Sequence, residues 1–116
     1  MTLLKCMAAW CAAETLKDTA CDYKTALALY RLRAALRPEA ECYTARETAL
    51  AETCGGHVSG GRVQFDTKED MERYAAEKKT LGAAETAVEW RTVRVPAPEK
   101  ITAAQLEALD GLIEFI

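Results

Sequence analysis

Leu29, Leu36, Tyr43 and Leu50 recur every seven residues, and the register holds across Pro38. Seven residues return a side chain to nearly the same face after two helical turns, so the four line one stripe, with Leu32 filling the turn between the first two. If the helix stopped at Pro38 and restarted after a loop, nothing would keep Tyr43 and Leu50 in phase with Leu29 and Leu36. The spacing therefore predicts one helix from Asp22 or Tyr23 to about Thr53, kinked near Pro38, where the backbone lacks the N–H that would bond the Ala34 carbonyl. Two helices, with Pro38 at the first position of the second, is the alternative. Cys54-Gly55-Gly56 supplies the stop, as a glycine-rich C-cap.

A rod with one apolar stripe needs something to lie against it. Upstream, Leu3 to about Lys17 places Leu3, Met7, Trp10 and Cys11 on one helical face, beside Ala8, Ala12 and Ala13. Asp18, Thr19 and Asp22 then supply turn and capping oxygens. The result is an antiparallel helical hairpin over residues 3–53.

Downstream the signals shorten. Four glycines in the seven residues of GGHVSGG, 55–61, read as a flexible connector. Arg62 to Phe65 reads as a short strand. Asp66 and Glu69 stand as a reciprocal cap for a helix that runs to about Leu81, buries Met71, Tyr74 and the Lys78 stem, and closes at Gly82. From Thr86 to Val95, TAVEWRTVRV is rich in β-branched and aromatic residues and suits a strand, although its alternation breaks near Arg91-Thr92. That strand must pair, most simply with Arg62 to Phe65 and otherwise with another copy of the chain. Thr102-x-x-Gln105 is a capping box for a last helix, whose stripe of Leu106, Leu109, Leu112 and Ile113 continues into Phe115 and Ile116.

These elements assemble into a predominantly helical α+β fold, expected to be a single domain over 1–116: the helical hairpin of 3–53 and a helix-strand-helix portion over 62–116. Half of the 116 residues are hydrophobic, but much of that share is alanine, so the core should be thin and should lean on Trp10, Trp90, Phe65, Phe115, the tyrosines and the leucines. A net charge of −3, with scattered Lys and Arg, argues against a nucleic-acid partner. No apolar run approaches the roughly 20 residues of a membrane span, and Met1 to Leu16 has no cleavage pattern, which points to the cytoplasm. Five cysteines, an odd number without a C-x-x-C pair, suit reduced thiols.

Candidate chemistry is sparse. Cys54-x-x-His57 is the one cysteine–histidine pair at metal-ligand spacing, but zinc would need two more ligands and His57 is the single histidine. The same pair as nucleophile and base, the basis of a cysteine-dependent enzyme, would need an orienting group and an oxyanion site that a glycine loop seldom holds. GGHVSGG also lacks the residue order of a phosphate-binding loop. Arg31, Arg33 and Arg37 are the nearest approach to a basic patch, on which a small nucleic-acid-binding regulator would depend, yet Glu39 and Glu41 follow at once. No catalytic residue, cofactor or metal is therefore expected, and the leading reading is a non-enzymatic protein acting through protein contacts, with self-association among them. Trp90, Leu112, Ile113, Phe115 and Ile116 are the candidate interface. The apolar C-terminal end either closes the core or meets a partner.

Three stretches carry a likeness. LYRLRAALRPEAECYTARETALAETCG, EDMERYAAEKKTLGAAETAVEW and ITAAQLEALDGLIEF together resemble a family of small uncharacterised phage and prophage proteins. The shared pattern, over roughly 23–116, is a long charged helix ending at glycine, a glycine-rich break, a short helix feeding a strand, and a closing Thr/Ser-capped Leu-x-Ala-Leu helix. Many members of that family open with a strand, whereas here Met1 leads almost directly into helix. The resemblance implies a phage or prophage gene acting in a bacterial host's cytoplasm, in virion assembly or the management of host proteins. It implies no catalytic or ligand-binding residue.

Overall fold

The computed structural model describes residues 1–116, the side chain of Ser59 aside. Helix α1, Leu3–Leu16, starts where the Thr2 hydroxyl accepts from the Lys5 N–H. Helix α2 runs unbroken from Tyr23–Thr53 with Pro38 inside it, as the seven-residue register requires. Leu29, Leu32, Leu36 and Tyr43 are all buried, and Leu50 is half-buried. The end of α2 is a Schellman motif: the Gly56 N–H reaches the Ala51 carbonyl at 2.7 Å and the Gly55 N–H reaches that of Glu52 at 3.0 Å. Gly55, at φ 78, takes the left-handed conformation on which that geometry turns.

The two helices run antiparallel, because Glu14 of α1 meets Arg33 of α2 while Trp10, a turn earlier, lies under Arg37, a turn later. The buried face of α1 is not the one expected. Leu3, Cys6, Ala9, Ala12, Ala13 and Leu16 are buried, whereas Cys11 is exposed and Met7 and Trp10 are half-buried. Size decides this: small side chains let the two backbones close on each other, and the indole is left at the edge of the seam.

Beyond α2 the glycine run is ordered, against the expectation of a flexible connector. Strands β1, His57–Ser59, and β2, Arg62–Gln64, form an antiparallel hairpin that pairs Val58 with Val63. Gly60 and Gly61, at φ 61 and 77, make its two-residue turn, whose backbone demands two positive φ values in succession. Helix α3, Lys68–Ala83, is capped by the Thr67 hydroxyl and not by Asp66. Met71, expected to be buried, is 51% exposed. Tyr74 lies against Phe65 at 5.0 Å between ring centres. Gly82 is buried within the helix against Leu4 and does not close it. The chain then returns to α1, where the Leu3 N–H bonds the Ala84 carbonyl at 2.8 Å and Thr2 bridges to Glu85.

Only part of the 86–95 segment is strand. Strand β3, Val93–Val95, pairs in parallel with β4, Ile113–Phe115, and not with Arg62–Phe65. Helix α4, Ala103–Leu109, opens with the expected capping box of Thr102 and Gln105. It is shorter than the leucine stripe suggested. Gly111, at φ 79, turns the chain after Asp110, so Ile113 and Phe115 continue as strand. Before β3, the Trp90 indole donates to the Leu112 carbonyl at 2.9 Å and the Thr92 hydroxyl to that of Gly111 at 2.6 Å, clamping that turn.

One cluster of buried residues joins α1, the first half of α2, β3, α4 and β4. Among the described residues one polar side chain is buried, that of Thr25, whose hydroxyl donates to the Pro96 carbonyl at 2.6 Å. The fold is a predominantly helical α+β arrangement of 49 × 30 × 21 Å.

Candidate contact surfaces

Cys54 and His57 stand in different surroundings in the folded chain. The Schellman turn buries Cys54 to 2% exposure, whereas His57 stands exposed on β1 opposite Gln64. A cleft of about 200 Å³ opens beside the hairpin, lined by His57, Val58, Val63, Ala51, Glu47 and Tyr74 among others, and Cys54 is not in its wall. Among the described residues no three His, Cys, Asp or Glu side chains converge as metal ligands.

Behind the cleft, the partners of its lining residues Glu47 and Tyr74 are set for charge pairing. Lys78 Nζ lies 3.1 Å from Glu47 and 5.8 Å over the Tyr74 ring. Its hydrogen bond to Glu47 holds its ammonium above the ordinary 10.5. Burial, then the Glu47 charge, pushes the Tyr43 phenol above its ordinary 10.0. Both shifts lead away from neutrality, so neither group is poised to exchange a proton there.

The arginines divide. Arg33 donates through Nε and Nη2 to Glu14 Oε1, at 3.0 and 2.7 Å, and so is committed within the chain. Those bonds, with a further one from Lys17, hold the Glu14 carboxyl below its ordinary 4.5. Arg33 and Arg37 both lie over Trp10, at 5.8 and 5.9 Å, while Arg31 is exposed elsewhere on the helix.

Of the candidate interface residues, Leu112 and Ile113 are buried in the core, and Trp90 and Phe115 pack against it half-buried. Ile116 alone is largely open, at 67%. The chain's own core therefore covers most of the C-terminal apolar end.

Exposed apolar side chains are spread over the surface, Tyr23 and Tyr30 of α2, Met71 of α3 and Leu106 of α4 among them, and two further groups bear on contacts. One is the hairpin, where Val58 and Val63 face each other across the strands at 74% and 40% exposure. Two valines set symmetrically about Gly60-Gly61 were the sequence signal for it.

The other is α1. Its sequence LLKCMAAWCAAETL holds three polar residues in 14, so both its faces are apolar. At 100° per residue, Leu4, Ala8, Cys11 and Thr15 fall on the side opposite the buried Ala9 and Ala13, and all four are exposed, Leu4 by 62%. A helix of a globular protein ordinarily puts its charges there. Lys5 is drawn aside instead, its ammonium donating to the Ala108 carbonyl at 2.8 Å, and Glu14 is held by Arg33. Among the described residues no helix is long and apolar enough to cross a membrane. The chain matches no known protein family, and no curated protein or solved structure is found to be similar to it.

Proposed function

We propose that this chain is a non-enzymatic protein that works by binding other protein chains, copies of itself included. The observation that carries the reading is the uncharged outward strip of α1, Leu4, Ala8, Cys11 and Thr15, on a helix whose opposite side already fills the core. A helix apolar all round belongs in an interior, and association is how a small domain provides one for its outer face. The Val58–Val63 pair is a second apolar surface, beside Glu47 and Ala51 near the C-terminal end of α2. The resemblance to small phage and prophage proteins supports a setting of virion assembly or host-protein management, in which such contacts are the activity.

Sedimentation velocity on the full chain, from about 10 µM to about 1 mM, tests the self-associating part, since small interfaces give dissociation constants in that range. The sedimentation coefficient is expected to rise with concentration. A monomer throughout would refute it.

A further inference from the structure

We infer that α3 and the β1–β2 hairpin form a flap that opens as one unit from the second half of α2 while the α1–α2 core stays folded. The inference stands apart from the function proposed above. The core cluster takes Ala28, Leu29, Leu32 and Leu36 from α2 and nothing from beyond Pro38. Past that point α2 still buries Tyr43, Ala51 and Cys54, and what lies beside them belongs to the flap. Lys78 and Tyr74 stand near enough to act on the Tyr43 phenol. Asp70 borders Gly55, and Val63 and Phe65 border Gly56, on the turn that encloses Cys54.

That cover is thin. Of the 16 residues of α3 only Gly82 is buried, with Asp70, Tyr74, Lys78 and Leu81 half-buried. The described side chains of both hairpin strands are exposed. Two voids interrupt the contact with α2: the cleft of about 200 Å³ beside the hairpin, and an open groove of about 550 Å³ walled by Arg46 and Leu50 on α2 and by Ala76, Glu77 and Thr80 on α3. The ion pair that crosses the contact, Lys78 to Glu47, is partly exposed and so adds little, and the Phe65–Tyr74 ring contact lies within the flap itself. A segment with so few buried apolar contacts opens at a lower free energy than the core unfolds. The far end of α3 is anchored, with Gly82 against Leu4 and the Leu3 N–H holding the Ala84 carbonyl at 2.8 Å. Opening therefore frees residues 57–81 and uncovers Tyr43, Leu50, Ala51 and Cys54, a second apolar face of α2 that the closed form conceals.

Two enclosed cysteines report on the two parts, Cys6 inside the core cluster and Cys54 under the flap, and the exposed Cys42 serves as the unprotected reference. The full chain carrying Cys11→Ser is alkylated while folded with N-ethylmaleimide, and tryptic peptides 6–17, 34–46 and 47–62 then hold one thiol each. Cys54 should react at least tenfold faster than Cys6. Urea well below the unfolding midpoint should speed Cys6 steeply and Cys54 little, because global unfolding exposes more surface than opening the flap. Ala75→Pro breaks α3 at an exposed position in its middle. Cys54 should then approach the rate of Cys42, with Cys6 still at least tenfold slower. Equal rates and equal urea dependence for Cys6 and Cys54 would mean a single cooperative unit and overturn the flap. So would an Ala75→Pro chain in which Cys54 stays protected, or in which Cys6 loses its protection as well.

Discussion

Replacing Thr25 separates a hydrogen bond from the packing around it. Its side chain is fully buried and its hydroxyl donates at 2.6 Å to the carbonyl of Pro96, the residue that follows β3. Thr25→Val keeps the shape and the β-branch, and the helix propensities of the two residues are close, so the change reduces to a lost donor. The carbonyl of half-buried Pro96 would lose that partner. Leaving a buried acceptor unsatisfied costs about 1–3 kcal/mol. Thr25→Ser makes the opposite change, keeping the donor and removing one methyl, at about 1 kcal/mol. Urea unfolding followed by far-ultraviolet circular dichroism, at a concentration where the chain is monomeric, reads both. With a slope of about 1–2 kcal/mol per molar, the midpoint should fall by about 1–2 M for Thr25→Val and by roughly half a molar for Thr25→Ser. If Thr25→Ser proved the more damaging, the methyl and not the hydroxyl would be what holds α2 to the end of β3, and the reasoning would fail.

Two further outcomes follow from local chemistry. Glu14 has its folded pKa below the unfolded value of 4.5, through its bonds to Arg33 first and Lys17 second, so its contribution to stability is present above 4.5 and is lost as pH falls through the folded value. Glu14→Gln should therefore be less stable than wild type at neutral pH, with the two denaturation curves converging in acid; curves that ran parallel down to that range would contradict the ion pair. Pro38 sits exposed inside α2 and leaves the exposed Ala34 without its helical donor. Pro38→Ala should raise stability by about 2 kcal/mol, the ~3 kcal/mol propensity gap less about 0.4–1 kcal/mol of unfolded-chain freedom, and a lower melting temperature in calorimetry would rule that out.

What could be read from the sequence depended on whether a signal was local. The seven-residue register fixes α2 through Pro38 because periodicity over 31 residues outweighs one missing hydrogen bond. The capping box at Thr102 and Gln105 was equally plain, being a contact between residues three apart. The inner face of α1 is not legible in the sequence because Trp10 and Met7 are larger and more apolar than Cys6 and Ala9, yet helix–helix proximity selects for size. The β3–β4 pairing was hidden because Leu109, Leu112 and Ile113 fit helical spacing, and only the positive φ of Gly111 divides them. The outward apolar side of α1 is not legible from the sequence, because Lys5 and Glu14 lie on the helix and only the position of α2 decides which side faces out.

The alanine and cysteine seam between α1 and α2 also governs how this chain can drift. Cys6, Ala9 and Ala13 have no exposed surface and meet leucines of α2 that are equally enclosed, so a larger residue on one side has no space to enter. Growth at any of these three sites becomes acceptable only alongside a trimmed neighbour in the same cluster. The two helices are therefore bound to change in matched pairs across generations, while the opposite side of α1 is free to vary up to the limit set by whatever binds it.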